Sequence, residues 1–266
     1  MTRLLSGAVL LVFAIAVVWF APPVVFFAVA QLLLVLALVE YAALAKRGGL
    51  PVPGAVSGAA AMLTAAAFAR LAVGGSAGAP IDVVLMSALV ALGTVTLARW
   101  TGGGDALGVA AASLFPVLYL GLPVGAMIAI RETRGREALF LLMLTVFVSD
   151  IAQYYSGRAL GRRPLAPGIS PKKTVEGAIG GFVFGGLLLA TVGAWWLPAL
   201  PLTLRAALGV AVVAVGIAGD LFESMLKRSA GVKDSSALIP GHGGILDRID
   251  ALLFAAPVYY IVLKYV

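Results

Sequence analysis

LLSGAVLLVFAIAVVWFAPPVVFFAVAQLLLVLALVEYAAL, residues 4–44, decides the fold. Two apolar runs, Leu4 to Phe20 and Val24 to Leu44, flank Pro22-Pro23. Each falls in the range of about 17–25 residues that a helix needs to cross a hydrocarbon core of about 30 Å. The first run follows Arg3 and has the outline of a signal peptide. It lacks a small-residue cleavage site and another span follows at once, so it reads as a retained helix.

The same pattern recurs to the end of the chain. Seven further runs are punctuated by Pro, Gly and charges: Ala55 to Val73, Ile81 to Ala98, Ala106 to Ile130, Ala138 to Ser156, Val175 to Leu197, Thr203 to Phe222 and Ala251 to Tyr265. The reading is an all-α polytopic membrane protein with about nine transmembrane helices. Composition agrees: 62% of the 266 residues are hydrophobic and 12% charged, against about 45–50% and about 25% in soluble domains. A water-soluble globule is excluded. No linker separates soluble domains, so residues 1–137 read as a transmembrane scaffold and 138–266 as the catalytic region of one continuous membrane domain.

Orientation follows from the basic residues on alternate sides of nine spans. One side holds 13: Arg3, Lys46, Arg47, Arg99, Arg158, Arg162, Arg163, Lys172, Lys173, Lys227, Arg228, Lys233 and Arg248. The other holds Arg131, Arg134, Arg136, Arg205 and Lys264, with Arg70 near a span end. The richer side is read as cytoplasmic, which puts the N-terminus inside and the C-terminus outside a bacterial-type inner membrane. The net charge of +7 sits between apolar runs and not in an arginine-rich tail. Anionic lipid head groups or a phosphorylated substrate fit it better than nucleic acid.

Zero cysteines and a single histidine, His242, leave carboxylates, cations, hydroxyls and backbone amides for chemistry. Seven of the twelve acids follow residue 149. The densest constellation is SMLKRSAGVKDSSALIPGHGGILDRID, Ser224 to Asp250. Asp247 and Asp250 share one face at i, i+3, and Asp220, Glu223 and Lys227 form a stripe with Ser224 beside them. Clustered carboxylates are oxygen ligands suited to Mg²⁺. Between them Pro240 to Gly244 is nearly bare of side chains, as anion-binding nests are, and Lys227, Arg228, Lys233 and Arg248 surround it. Acids, cations and bare amides together describe a metal–nucleotide site on the cytoplasmic side.

A second constellation is Ser170-Pro-Lys-Lys-Thr-Val-Glu-Gly177. Ser170 and Thr174 can cap the seventh span, and with Lys172 and Lys173 they form a phosphate-binding corner. A third places Asp150 one turn from Gln153 and Tyr154, with Arg158 below; an ionisable group at that depth is a functional suspect. Blander readings compete. The lysine and arginine pairs serve equally as topogenic charge, and Asp247-Arg248 or Glu223-Lys227 as interfacial ion pairs. Thr101 to Asp105 reads as a turn, and Trp195-Trp196 and Tyr259-Tyr260 as interface-belt aromatics. Gly180-Gly181 and Gly185-Gly186 are compatible with a homodimer and equally with packing inside one chain.

Ser224 to Asp250 resembles the signature of the phosphatidate cytidylyltransferase (CDP-diacylglycerol synthase) family. Ser224, Lys227-Arg228, Lys233-Asp234, Ser236, Pro240, His242-Gly243-Gly244, Asp247-Arg248 and Asp250 fall in register with it. The resemblance is specific over roughly residues 149 to 250 and extends to Ser170–Gly177, whereas the first hundred residues match only in being hydrophobic. It implies transfer of the cytidylyl group of CTP to phosphatidic acid, giving CDP-diacylglycerol and pyrophosphate. On that basis Asp220 and Asp247, with Asp250 in support, are expected to bind Mg²⁺, with a second cation left open. Lys227, Lys233 and Arg248 are expected to offset phosphate charge, and Ser170, Lys172 and Lys173 to grip the lipid phosphate or the triphosphate. Ser224, Arg228, His242, Gly243 and Gly244 complete the expected substrate-binding set. A CTP-dependent lipid kinase would use similar acids. A secondary transporter would show inverted repeats, which are not found.

Overall fold

The computed structural model describes residues 2–69, 79–102, 104–239, 241 and 243–266. Among these the chain forms α1 (Thr2–Phe20), α2 (Pro23–Arg47), α3 (Gly54–Ala66), α4 (Ile81–Arg99), α5 (Ala106–Pro116), a π-helical turn (Val117–Gly121), α6 (Leu122–Arg134), α7 (Arg136–Leu160), β1 (Pro164–Ala166), β2 (Ser170–Thr174), α8 (Val175–Trp196), α9 (Leu202–Ser229) and α10 (Leu246–Tyr265). Each of the nine apolar runs overlaps a helix of this series, though Ala55 to Val73 outruns α3 and Ala106 to Ile130 extends over α5, the π-helical turn and into α6. Six helical stretches are long and apolar enough to cross a membrane: Pro23–Arg47, Ile81–Arg99, Ala106–Arg134, Arg136–Leu160, Val175–Trp196 and Leu202–Ser229. The chain is an integral membrane protein by this measure.

The remaining three runs are outside that set. α1 spans Thr2–Phe20, but its side chains are described only from Gly7, so its described apolar stretch is Gly7–Phe20. α3 stops at Ala66 after 13 residues, about 20 Å at 1.5 Å per residue, whereas the run was expected to reach Val73; Arg70 and the end of that run lie outside the described residues. α10 carries Asp247, Arg248 and Asp250 in its first two turns.

Local chemistry explains the joints. Pro22 precedes α2 in extended conformation and Pro23 begins it, where a missing N–H costs nothing. Pro116 cannot donate to the Ala112 carbonyl four residues back. The Tyr41 hydroxyl donates to that carbonyl instead, at 2.9 Å, and the helix passes through the π-helical turn before continuing as α6. The protein is mostly helical, as expected, and the polar stretch after α7 adds one short hairpin. Pro164 pairs with Thr174 and Ala166 with Ser170 in an antiparallel hairpin.

α7, α8, α9 and α10 pack side by side, with α6 and α2 against α10. Their buried faces form one core that runs from Val18 and Leu34 to Leu142, Leu208 and Tyr259, across both halves of the chain. Tyr259 is fully buried, which corrects its reading as an interface aromatic. The α8 glycines are what let α7 approach. A Cβ on Gly177 would lie 2.7 Å from the Gln153 carbonyl oxygen, and one on Gly181 2.7 Å from Gln153 Cγ. Gly186 instead faces Gly209 of α9, so this small-residue stripe is used inside the chain.

Candidate active site

The end of α9 and the first turn of α10 meet at one end of the bundle. Lys227 sits between Glu223, one turn earlier on its own helix, and Asp247 Oδ1, 2.5 Å away on α10. All three side chains are buried or nearly so. A charge taken out of water is tolerated only when paired, so the lysine bonds the two helices. Asp247 Oδ2 accepts from the Gly244 N–H at 2.7 Å, the Ser235 N–H at 3.0 Å and the Ser235 hydroxyl at 2.7 Å. Asp247 precedes the apolar run of α10. Burial opposes its ionisation, but the Lys227 ammonium, the Gly244 N–H and the Ser235 hydroxyl outweigh that and hold its carboxyl below the usual carboxylate range.

The expected stripe along α9 therefore divides. Glu223 and Lys227 face α10, while Asp220 turns to Lys173 on β2 and has the Ser224 hydroxyl at 3.5 Å. The negative charge of Asp220 acts on both Asp150 of α7 and Asp250 of α10. Three helices thus bring three carboxylates into one electrostatic neighbourhood. Asp250 accepts from the Ala251 N–H at 2.7 Å, and Gln153 donates to Asp150 at 3.0 Å. Among the described residues no three Asp, Glu or His side chains are arranged as a ready metal cage.

The hairpin lies against this group. Lys173 is half-buried toward Asp220, and its neighbour Lys172 is exposed. Ser170 is paired opposite Ala166 on β2 and does not cap α8, a correction to its expected role. Thr174 alone caps the helix, accepting from the Gly177 N–H at 3.1 Å. Glu176 accepts from the amides of Arg162 and Arg163 at 2.9 and 3.2 Å and closes the hairpin. Arg228 reaches the Ile169 and Val232 carbonyls at 3.4 and 3.2 Å, tying the end of α9 to the hairpin. Lys233 and Arg248 are exposed, and the charge of Arg248 acts on Asp150.

In the bare loop, Gly243 has φ +76°, a conformation open to glycine. His242 and Pro240 lie outside the described residues. The Gly244 amide, expected to face a phosphate, is donated to Asp247. One residue of this region was passed over in sequence. Glu40 of α2 is buried and accepts from Ser236, Ile245 and Leu246 at 2.7–2.9 Å. The available signal was that it is the single charged residue between Leu4 and Leu44.

A sequence profile described as the cytidylyltransferase family matches residues 1–266. Curated relatives named phosphatidate cytidylyltransferase are similar to the chain: one from Aquifex aeolicus (strain VF5), 40% identical over 153 residues, 57% of this chain and 56% of that protein; one from Synechocystis sp. (strain ATCC 27184 / PCC 6803 / Kazusa), 52% identical over 131 residues, 48% of this chain and 44% of that protein; and one from Helicobacter pylori (strain ATCC 700392 / 26695), 37% identical over 180 residues, 67% and 64%. The matched part thus spans between 44% and 64% of these relatives' own lengths.

Proposed function

The chain belongs to the cytidylyltransferase family, and from that premise we propose that it transfers the cytidylyl group of CTP to phosphatidic acid, giving CDP-diacylglycerol and pyrophosphate. The observation that carries the reading is the meeting, at one end of an apolar bundle, of the carboxylates Asp150, Asp220 and Asp250 with the cationic hairpin through Lys173. A nucleotide from water and a lipid phosphate from the bilayer can both reach such a place.

A phosphate oxygen of the lipid, anionic near neutral pH, attacks the α-phosphorus of CTP. The bond from that phosphorus to the bridging oxygen breaks, and pyrophosphate leaves with the electron pair. No general base is needed, so the protein's work is positioning and charge compensation. Asp220 and Asp250, with Asp150 alongside, are hard oxygen donors of the kind Mg²⁺ takes; they are the residues that would hold it, drawn closer together than they stand among the described residues. Bound there, Mg²⁺ supplies Lewis-acid neutralisation of phosphate charge. Asp247 has both oxygens engaged by Lys227, Ser235 and Gly244. It supports the metal ligands by fixing the first turn of α10, and Lys227 in turn holds Asp247.

Exposed Lys233 and Arg248 take the nucleotide phosphates, and Lys172 with Ser170 takes the lipid phosphate. Ser224 stays beside Asp220, and Arg228 steadies the hairpin. Gly243 and Gly244 keep the loop free of side chains. The finer topology follows the basic residues: nine spans, N-terminus and site on the cytoplasmic face of the inner membrane.

Membranes overexpressing the chain, supplied with phosphatidic acid, Mg²⁺ and CTP labelled either in cytidine or at the γ-phosphate, test the proposal. Cytidine label is expected in the lipid phase. Lipid carrying only the γ-label would instead identify a kinase, and an unlabelled lipid phase would remove both readings.

A further inference from the structure

Glu40 stands in α2, about 200 residues away in sequence from everything it holds. Its side chain is 4% exposed as a residue, and its two oxygens are surrounded by donors. Oε1 accepts from the Ser236 hydroxyl at 2.7 Å and the Ile245 N–H at 2.9 Å. Oε2 accepts from the Leu246 N–H at 2.8 Å and lies 2.9 Å from Ser235 Oγ. That hydroxyl is also 2.7 Å from Asp247 Oδ2, so its one proton is shared between two carboxylates.

α10 needs such a partner. The residue ahead of it is Ile245, which has no side-chain acceptor, and the first amides of a helix have none within the helix. Glu40 supplies the cap from another helix and places negative charge at the positive end of α10. Gly244 shows how closely the parts fit, because a Cβ there would run into the Glu40 carboxylate and Ser235 Oγ.

We infer that Glu40 is a positioning residue for the active site: through Ser235, Ser236 and the first amides of α10 it sets where Asp247, Arg248 and Asp250 stand. The activity arm of this inference rests on the cytidylyl-transfer reading; the structural arm does not. The full chain in detergent micelles, as wild type, E40Q and S235A/S236A, is compared by hydrogen exchange and by CTP turnover with phosphatidic acid and Mg²⁺. In E40Q an amide NH₂ replaces one acceptor where donors converge.

The peptide carrying the Ile245 and Leu246 amides is expected to exchange at least 10-fold faster in E40Q, with α7 and α8 unchanged. kcat is expected to fall about 100-fold, the scale of a misplacement of about 1 Å. Adding S235A/S236A to E40Q should cost clearly less than the two losses summed, because Ser236 acts through the same carboxylate and Ser235 acts partly through it. Unchanged exchange in E40Q, or fully additive losses in turnover, would overturn the inference. If E40Q is recovered only as aggregate, S235A/S236A decides alone: faster exchange at the loop and at Ile245 supports it, unchanged exchange overturns it. A wild type without cytidylyl transfer would remove the functional reading, and the exchange result would still judge Glu40.

Discussion

Asp247 and Asp250 are three residues apart on one helix face, yet the site uses them differently. Asp247 is locked by Lys227 and by three further hydrogen bonds, whereas Asp250 accepts from the neighbouring Ala251 amide and feels the charge of Asp220 and Asp150. D250N is therefore expected to lose more activity than the about 10- to 100-fold that changes behind a metal ligand cause, with its melting temperature in detergent unchanged. D247N should lose activity and stability together. Breaking one partner of a buried pair costs about 3–5 kcal/mol, and the value should lie near the lower end because Glu223 remains on Lys227. Equal melting temperatures for the two variants would contradict this division. Spacing alone made both acids legible as one pair. It could not distinguish them, because the donors that occupy Asp247 come from a loop whose path the spacing does not determine.

At the scale of elements, helices were legible wherever apolar runs were long, and illegible where tertiary contacts choose the conformation. The hairpin is the clearest case. Ser170 to Thr174 has a proline, two lysines and no alternating apolar residues, so nothing local marks a strand. It forms because Glu176 holds the Arg162 and Arg163 amides and Arg228 holds Ile169. The π-helical turn was likewise hidden within a run that reads as one span, since Tyr41 on α2 must complete the Ala112 carbonyl. The glycines of α8 were visible, but their partner was not. They let α8 sit on α7 beneath the hairpin, with Gly177 opposite both the Gln153 carbonyl oxygen and Gly157 Cα, at 2.7 and 3.3 Å from a built Cβ. Gly177→Val should overpack that contact and destabilise the protein by about 1–3 kcal/mol. The loss would appear as a lower midpoint in a thermal aggregation assay, and an unchanged midpoint would show that α7 and α8 separate freely.

Across the whole molecule the two ends differ in what their cations do. Away from the acids, Arg131 donates to the carbonyls of Val18 and Ala21, Arg136 to Trp19 and Arg134 to Leu263. These carbonyls end α1 and α10, where helices leave acceptors unfilled. Arg131 and Arg136 also lie over the rings of Phe26 and Trp19, at 4.4 and 4.9 Å. This cluster blurred the charge count along the sequence; its members bond carbonyls at helix ends, Arg134 and Arg136 while themselves exposed, as Lys172, Lys233 and Arg248 are at the other end. The excess of Lys and Arg in the loops beside the spans sets orientation, and 13 of the 19 lie on the side of the hairpin, so that end should face the cytoplasm. The absence of cysteine from the sequence makes the test clean. Gly168→Cys, at the hairpin turn where a Cβ meets nothing within 4 Å, should react with a membrane-impermeant maleimide in inverted vesicles and not in intact cells. Ala199→Cys, exposed between α8 and α9, should do the reverse. The opposite pattern would turn the protein over in the bilayer, put the carboxylates on the outer face and contradict the proposed use of CTP.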